Sequence, residues 1–228
     1  MRSSARRRLA PVVMLAMLLL AAHRELPAQD KAAQIDELVN LYHSYGQFNG
    51  TVLVAEGGKV LYKKGLGLAH MEWKIPNQPD TKFRIGSLTK QFTAMLILQL
   101  VEQGKLKLDG KITDYLPDYP RKSGDKITVH HLLNHTSGIP SYTGFPGFVA
   151  NQSRDPYRPD EFVKKFFADK DLEFEPGARF SYNNSAYFLL GAIIEKVAGQ
   201  PYEKVLQQNI LGPLNMKITG YDHHRTIL

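Results

Sequence analysis

The sequence predicts an α/β (α+β) fold in which helices pack on an antiparallel sheet beside a mainly helical lobe. Two β-type runs, 50–55 and 59–62, flank Gly57-Gly58, and this predicts a hairpin because both glycines can adopt positive φ. Two long apolar runs, 88–101 and 186–198, are each followed closely by a glycine and predict helices, the first of them buried. The 228 residues, 43% of them hydrophobic, suit one globular domain of ordinary size or a domain with a partner lobe.

Periodicity and turn residues predict the remaining elements. Apolar residues recur at helical spacing between Lys31 and Tyr45, which predicts an amphipathic helix in front of the hairpin. Further elements are expected as an extended piece over 66–73, a short helix over 129–133, a longer helix over 161–168, a turn over 175–177, an extended segment over 180–182 and a last helix from Pro201 to about Ile210. Residues 89–180 should supply most of the helical lobe, and we expect the active site between this lobe and the sheet.

The N-terminal end has the layout of an export signal. A basic start is followed by an apolar run from Leu9 to Ala22 and by a polar stretch that leads to Ala28. The apolar run is shorter than the roughly 20 residues of a membrane span, so an uncleaved anchor is the less favoured alternative. We therefore expect residues 1–28 to be a cleaved signal peptide, residues 29–228 to form the folded domain, and the protein to be exported, periplasmic or secreted, without stable membrane insertion.

Charge and cysteine content exclude several functional classes. The formal net charge of +7 is concentrated at the front of the chain, in Arg2, Arg6, Arg7, Arg8 and Arg24. The remainder is only mildly basic and has no cationic stripe interleaved with aromatic residues, so a nucleic-acid partner is not expected. The absence of cysteine excludes disulfides, thiolate zinc sites and a thiol nucleophile.

Ser87 and Lys90 form the first candidate catalytic pair. They are three residues apart at the predicted start of an apolar helix, so both side chains lie on one face. A serine hydroxyl needs a proton acceptor, and a lysine can serve if its surroundings disfavour its charge; the helix N-terminus also suits an oxyanion. The alternative is that Ser87 is a simple N-cap and Lys90 a solvated cation. A second Ser-x-x-Lys, Ser123 to Lys126, lies in a predicted Gly/Asp loop with no apolar helix behind it.

Tyr182 and Asn184 form the second candidate pair. Tyr182-Asn183-Asn184 is the only Tyr-x-Asn in the chain, and it stands where an extended segment meets a predicted helix. A phenol beside a cation can carry a proton, and an asparagine amide can hold a carbonyl and contact a lysine. The alternative is a buried tyrosine followed by Asn184 as the N-cap of the next helix.

Four segments in sequence order resemble one known family. They are FRIGSLTK at 83–90, HLLNHTSGI at 131–139, FSYNN at 180–184 together with YFLLGAIIE at 187–195, and LGPLNM at 211–216. Over residues 31–221 the chain resembles the serine β-lactamase and penicillin-binding-protein superfamily, on the branch of class C β-lactamases, D-alanyl-D-alanine carboxypeptidases and related esterases. The resemblance implies a β-lactamase/transpeptidase-like fold.

The same resemblance implies a role for each candidate side chain. Ser87 is the nucleophile that becomes acylated, Lys90 accepts its proton, Tyr182 is the acid/base partner, and Asn184 contacts both the substrate and Lys90. We expect no metal ion and no organic cofactor, because Lys90 and Tyr182 can carry the proton transfers.

Two histidines at metal-ligand spacing offer a different chemistry. His131 and His135 are four residues apart, as helical zinc ligands can be. No His-Glu-x-x-His accompanies them, and Gly138 ends any helix there. We therefore interpret His135 and Ser137 as structural residues that shape a loop.

The chain departs from the family pattern after Asn184. Family members carry there a strand with Lys or His, any residue and then Gly, and no such triplet follows Asn184. We therefore expect a C-terminally truncated gene product or a fragment, without the C-terminal strands, that folds poorly or is nearly inactive. The missing strand would supply one oxyanion donor, whose loss typically costs about 10²–10³ in rate.

Two functional hypotheses of different classes remain open. The first is an exported serine hydrolase that acts through an acyl-enzyme on a peptide, ester or β-lactam carbonyl, in a small molecule or a peptidoglycan peptide. The second is a catalytically silent cell-wall or muropeptide-binding protein that keeps the fold. The sequence leaves the choice of substrate and the oligomeric state open.

Overall fold

The computed structural model describes residues 28–152, 157–168 and 170–222. Apart from Ala28, the predicted export signal lies outside the described residues, as do the two histidines at 223 and 224. In the described ranges, no helix combines the length and the hydropathy needed to span a bilayer. The chain divides into two compact units, one ending at Lys82 and the other beginning at Phe83.

The first unit is a helix packed on a hairpin. Its elements are helix α1 (Ala28–Ser44) and strands β1 (Gly50–Glu56), β2 (Lys59–Leu66), β3 (Leu68–His70) and β4 (Ile75–Pro76). Strands β1 and β2 pair antiparallel, with Gly50 opposite Leu66, and β3 pairs with β4. The predicted helix and hairpin are thus confirmed, whereas the predicted extended piece over 66–73 is a three-residue strand followed by a turn.

The tight turn and a polar contact hold the hairpin and α1 together. Gly57 and Gly58 have φ of 55° and 78°, the two positive values that a type I′ hairpin turn requires. Asp36 of α1 accepts hydrogen bonds from Lys64 Nζ at 2.7 Å and from Tyr62 OH at 2.8 Å. The Lys64 contact, followed by that of Tyr62, lowers the pKa of Asp36. Burial and the bond to Asp36 raise the pKa of Tyr62 to about 12.

The second unit is helical. Its α-helices are α2 (Thr89–Glu102), α3 (Ile112–Tyr115), α4 (Arg121–Gly124), α5 (Val129–Leu133), α6 (Pro159–Val163), α7 (Asn184–Ala198) and α8 (Tyr202–Leu206). Single 3₁₀ turns lie at Gly86–Leu88 and Tyr142–Gly144, and π-helical turns at Phe148–Gln152, Lys164–Ala168 and Gln207–Leu211. The structure confirms the helices predicted over 129–133, 161–168 and 186–198, and the helix predicted to begin at Pro201.

Helices α2 and α7 form the centre of this unit. Leu96, Ile97, Leu189 and Ile193 are all fully buried, and the two helices pack against each other. Helix α7 ends at Gly199, whose φ of 67° is the left-handed conformation of a helix C-cap. Burying several aliphatic side chains at about 1.5–3 kcal/mol each gives this pair most of its stability.

Two local expectations are wrong. Helix α2 is not buried on several faces, because its Met95 and Leu98 are about half-exposed, and Leu88, in the turn just before it, is exposed to a larger degree. Ser123 does not lie in an open loop: it belongs to the short helix α4 and is only 7% exposed. An apolar run without polar interruptions gives no periodicity from which the exposed face could be predicted.

Candidate active site

Ser87 lies in the 3₁₀ turn Gly86–Leu88 that leads directly into α2. Gly86 has a φ of 52°, a left-handed conformation that L side chains rarely adopt, so this turn favours glycine just before the serine. The Ser87 side chain is exposed at the start of the helix, where the helix dipole is positive. Lys90 is one turn further on, as the spacing predicts.

Lys90 makes two hydrogen bonds that join the two predicted pairs. Its Nζ is 3.2 Å from Ser87 Oγ and 2.8 Å from Asn184 Oδ1, the latter 94 residues away in the sequence. The ammonium also lies 4.8 Å from the centroid of the Tyr182 ring and 5.5 Å from that of Tyr187. Lys90 is half-buried, so the solvated-cation alternative does not describe it.

Tyr182 makes the shortest contact to the candidate nucleophile. Its hydroxyl lies 2.6 Å from Ser87 Oγ, which is closer than Lys90 Nζ. Hydrogen bonding to Lys90, and then to Ser87, lowers the pKa of Tyr182 from its ordinary value of 10.0. The phenol is therefore suited to give and take a proton at Ser87.

The two asparagines after Tyr182 have separate contacts. Asn183, 4% exposed, is the N-cap of α7: its Oδ1 accepts from the Ala186 N–H at 2.8 Å, and its Nδ2 donates to the Ile139 carbonyl. Asn184 is the first residue of the helix and turns its Oδ1 to Lys90. The alternative in which Asn184 caps the helix is thus wrong, because Asn183 takes that position.

Three side chains that support the site were not predicted to contact it. His135, with a φ of 61°, accepts the Asn183 N–H on Nδ1 at 3.0 Å, and its ring centroid lies 4.6 Å from that of Tyr182. Burial, and then the charge of Lys90, lowers the pKa of His135. Ser141 and Thr143 contact Asn184 from the 3₁₀ turn region. No local sequence signal marks these hydroxyls, since they lie more than 40 residues from Asn184.

The second Ser-x-x-Lys does not form such a pair. Lys126 Nζ binds Glu175 at 3.1 Å, whereas Ser123 Oγ makes a long 3.5 Å contact with the Pro120 carbonyl. The partners of these two side chains, Pro120 and Glu175, are not among the four predicted site residues. The contact between Lys90 and Ser87 therefore distinguishes the first Ser-x-x-Lys from the second, in which serine and lysine have separate partners.

The histidines do not form a metal site in the described part of the chain. His131 Nδ1 accepts the Thr128 N–H at 3.3 Å and closes the N-terminus of α5. No group of three or more potential metal ligands occurs among residues 28–152, 157–168 and 170–222. A groove of about 810 Å³ lined by Pro117, Pro159 and Glu195 lies elsewhere in the second unit and includes none of the four predicted site residues.

Comparison with known proteins identifies one family. A family model described as Beta-lactamase matches residues 31–226. Penicillin-binding protein 4* of Bacillus subtilis is 37% identical over 199 residues, which are 86% of this chain and 43% of that protein. The chain thus spans less than half the length of this relative.

Solved structures show the same likeness. The penicillin-binding protein from Bacillus halodurans aligns with a TM-score of 0.75 and 34% identity, over 83% of this chain and 57% of that one. The D-amino acid amidase from Ochrobactrum anthropi SV3 aligns with a TM-score of 0.70 and 32% identity, over 84% of this chain and 53% of that one. The fold class predicted from the sequence is confirmed, and the chain belongs to the beta-lactamase family, within the superfamily of serine hydrolases that includes the penicillin-binding proteins.

Proposed function

We propose that this protein is an exported serine hydrolase in which Ser87 forms an acyl-enzyme with a peptide, ester or β-lactam carbonyl. The observation that carries the proposal is the position of Ser87 Oγ, 2.6 Å from the Tyr182 hydroxyl and 3.2 Å from Lys90 Nζ. A serine without acid/base chemistry needs neither contact. The N-terminal sequence pattern supports export.

The path of the Ser87 proton defines the roles of Ser87, Lys90 and Tyr182. Ser87 has one proton, and its oxygen attacks the carbonyl carbon only when a neighbour accepts that proton. Tyr182 in its ionised form, or Lys90 in its neutral form, can accept it. The accepted proton then passes to the departing amine or alcohol, so that the bond to the leaving group breaks as the Ser87 ester forms.

Deacylation uses the same groups in reverse roles. Water gives a proton to Tyr182 or Lys90 and attacks the ester carbonyl, and Ser87 Oγ recovers its proton as it departs. Asn184 holds Lys90 beside the serine during both steps through its Oδ1 at 2.8 Å. The names of the relatives, penicillin-binding proteins and a D-amino acid amidase, are consistent with carbonyl substrates carrying D-configured or β-lactam acyl groups.

Covalent labelling tests the proposal. The full chain is incubated with a fluorescent penicillin or a fluorophosphonate, and the labelled peptide is identified by mass spectrometry. We expect the label on Ser87, none in Ser87→Ala, and a rate reduced about 10²–10⁴-fold in Lys90→Met, the typical contribution of one acid/base group. Ser123→Ala and Lys126→Met are matched controls from the second Ser-x-x-Lys and should label like the unchanged chain.

Two results would overturn the proposal. One is saturable penicillin or muropeptide binding without any covalent label, which would favour the silent binding protein. The other is a label that survives in Ser87→Ala. N-terminal sequencing of exported protein should give a start near Gln29, and a retained N-terminus in membranes would contradict the export part.

A further inference from the structure

Ser141 and Thr143 contact atoms of Asn184 other than the oxygen that binds Lys90. Asn184 Nδ2 donates to Thr143 Oγ1 at 2.9 Å, and the Asn184 backbone N–H donates to Ser141 Oγ at 3.2 Å. The two hydroxyls are 3.2 Å from each other, within hydrogen-bond distance. Asn184 therefore binds Lys90 through its side-chain oxygen, Thr143 through its side-chain nitrogen and Ser141 through its backbone N–H.

The donors and acceptors around Asn184 permit only one orientation of its amide with all contacts satisfied. Lys90 Nζ in its protonated form can only donate, so it requires Oδ1, and this directs Nδ2 to Thr143. Both hydroxyls accept a hydrogen bond from Asn184, and one of them can in addition donate to the other. A flipped amide would direct its NH₂ group at the Lys90 ammonium and lose an acceptor for it.

The segment that carries these hydroxyls is itself fixed. Ser185 Oγ, fully buried, donates to the Pro140 carbonyl at 2.7 Å and accepts the Tyr142 N–H at 3.0 Å. These bonds attach residues 140–142 to the first turn of α7, so that Thr143 is held at a fixed place relative to Asn184. Because the backbones on both sides of the Thr143–Asn184 contact are held by these bonds, the contact can restrain the position of the Asn184 amide.

We propose that Thr143, assisted by Ser141, is a positioning residue that fixes the Asn184 amide so that its oxygen holds Lys90 beside Ser87. The inference rests on the proposed function for its catalytic consequence, but the contact itself can be tested separately. Thr143 acts through Asn184 and Lys90, without touching Ser87. Loss of one neutral hydrogen bond of this kind should reduce the rate of Ser87 labelling about threefold to tenfold.

Three variants test the inference. Thr143→Val removes the hydroxyl at nearly constant volume, Thr143→Ser keeps it, and Thr136→Val is the matched control because its hydroxyl also binds an asparagine, Asn134 Oδ1 at 2.6 Å. We expect slower maximal labelling by fluorophosphonate in Thr143→Val, with an unchanged half-saturating concentration. Thr143→Ser and Thr136→Val should retain the rate, and all three should keep the far-ultraviolet circular dichroism of the unchanged chain.

A second measurement does not depend on enzymatic activity. The rate at which acetic anhydride acetylates Lys90 is measured by quantitative mass spectrometry, with Lys126 as the internal reference. Thr143→Val should raise the Lys90 rate several-fold, because an Asn184 amide without its Thr143 contact can rotate away and leave the Lys90 amine accessible, and Thr143→Ser should not. If the unchanged chain is not labelled at Ser87, the proposed function fails, and the acetylation rate of Lys90 alone decides whether Thr143 positions Asn184. An unchanged Lys90 rate in Thr143→Val, or a rise of the same size in Thr136→Val, would overturn the inference.

Discussion

Asn183 and Asn184 are adjacent, but their alanine variants should differ: Asn183→Ala should mainly lower stability, and Asn184→Ala should mainly slow the labelling of Ser87. Asn183→Ala removes the N-cap of α7, worth about 1 kcal/mol. It also leaves the buried Ile139 carbonyl without its side-chain donor, which costs about 1–3 kcal/mol more. The free energy of unfolding of the second unit should therefore fall by about 2–4 kcal/mol.

Asn184→Ala should leave the fold almost unchanged. Asn184 is half-buried and occupies the first helical position of α7, where alanine is well tolerated. Its backbone N–H keeps the bond to Ser141. Lys90, however, loses an acceptor at 2.8 Å, and a hydrogen bond to a charged group is worth about 1.5–3 kcal/mol, or roughly 10- to 150-fold in the labelling rate of Ser87.

Urea denaturation followed by circular dichroism at 222 nm gives the two free energies of unfolding, and fluorophosphonate labelling gives the rates at a temperature where both variants are folded. We expect the larger loss of stability in Asn183→Ala, and a large loss of labelling with little loss of stability in Asn184→Ala. If Asn184→Ala is the more destabilised variant, the assignment of the cap to Asn183 is wrong.

Burial and charge also determine how Tyr182, Asp36 and Leu190 should respond to pH and to substitution. In protein labelled with ¹³Cζ-tyrosine, the Tyr182 resonance is identified by its absence in Tyr182→Phe. It should titrate below the ordinary tyrosine pKa of 10.0. Lys90→Met should raise the pKa of Tyr182, because it removes the hydrogen-bonding cation. Because the folded pKa of Asp36 is lowered from 3.8, its carboxylate stabilises the first unit above that pH, and the stability is lost as the pH falls through the folded pKa. Urea titrations should accordingly show Asp36→Asn less stable than the unchanged chain at pH 7, and the two should converge at the acidic end. Leu190→Ala, at a fully buried position of α7, should lower the free energy of unfolding by about 2–5 kcal/mol, and a loss below about 1 kcal/mol would contradict the burial of this side chain.

Local patterns predicted those parts of the structure that local physics determines. The pair Gly57-Gly58 can form a tight hairpin turn whatever surrounds it, and Gly199 can end a helix in the left-handed conformation. The three-residue spacing from Ser87 to Lys90 places both side chains on one helix face without any tertiary information. These features were therefore predicted with the correct positions.

Contacts between distant segments could not be predicted from local sequence patterns. Either asparagine of the pair 183–184 is a good N-cap, and the choice depends on the Ile139 carbonyl, 44 residues away. The hydroxyls of Ser141 and Thr143 look like ordinary loop residues until α7 is packed next to them. His135 was interpreted as a structural residue, but its ring contact with Tyr182 depends on a positive φ that histidine adopts only occasionally.

The energies decide which of these interactions positions the site. The bonds among Ser87, Lys90, Tyr182 and Asn184 join half-exposed or exposed side chains, and such bonds contribute about 0.5–1.5 kcal/mol each, somewhat more where Lys90 takes part. Each of the fully buried leucines and isoleucines of α2 and α7 contributes about 2–5 kcal/mol when judged by truncation. The packing of the two helices therefore fixes the separation of Lys90 and Asn184, and the polar contacts select orientations within that separation. A substitution such as Leu190→Ala should for this reason slow the labelling of Ser87 even though it touches none of the reacting groups, whereas loss of the Asn184 amide should leave the helix packing intact.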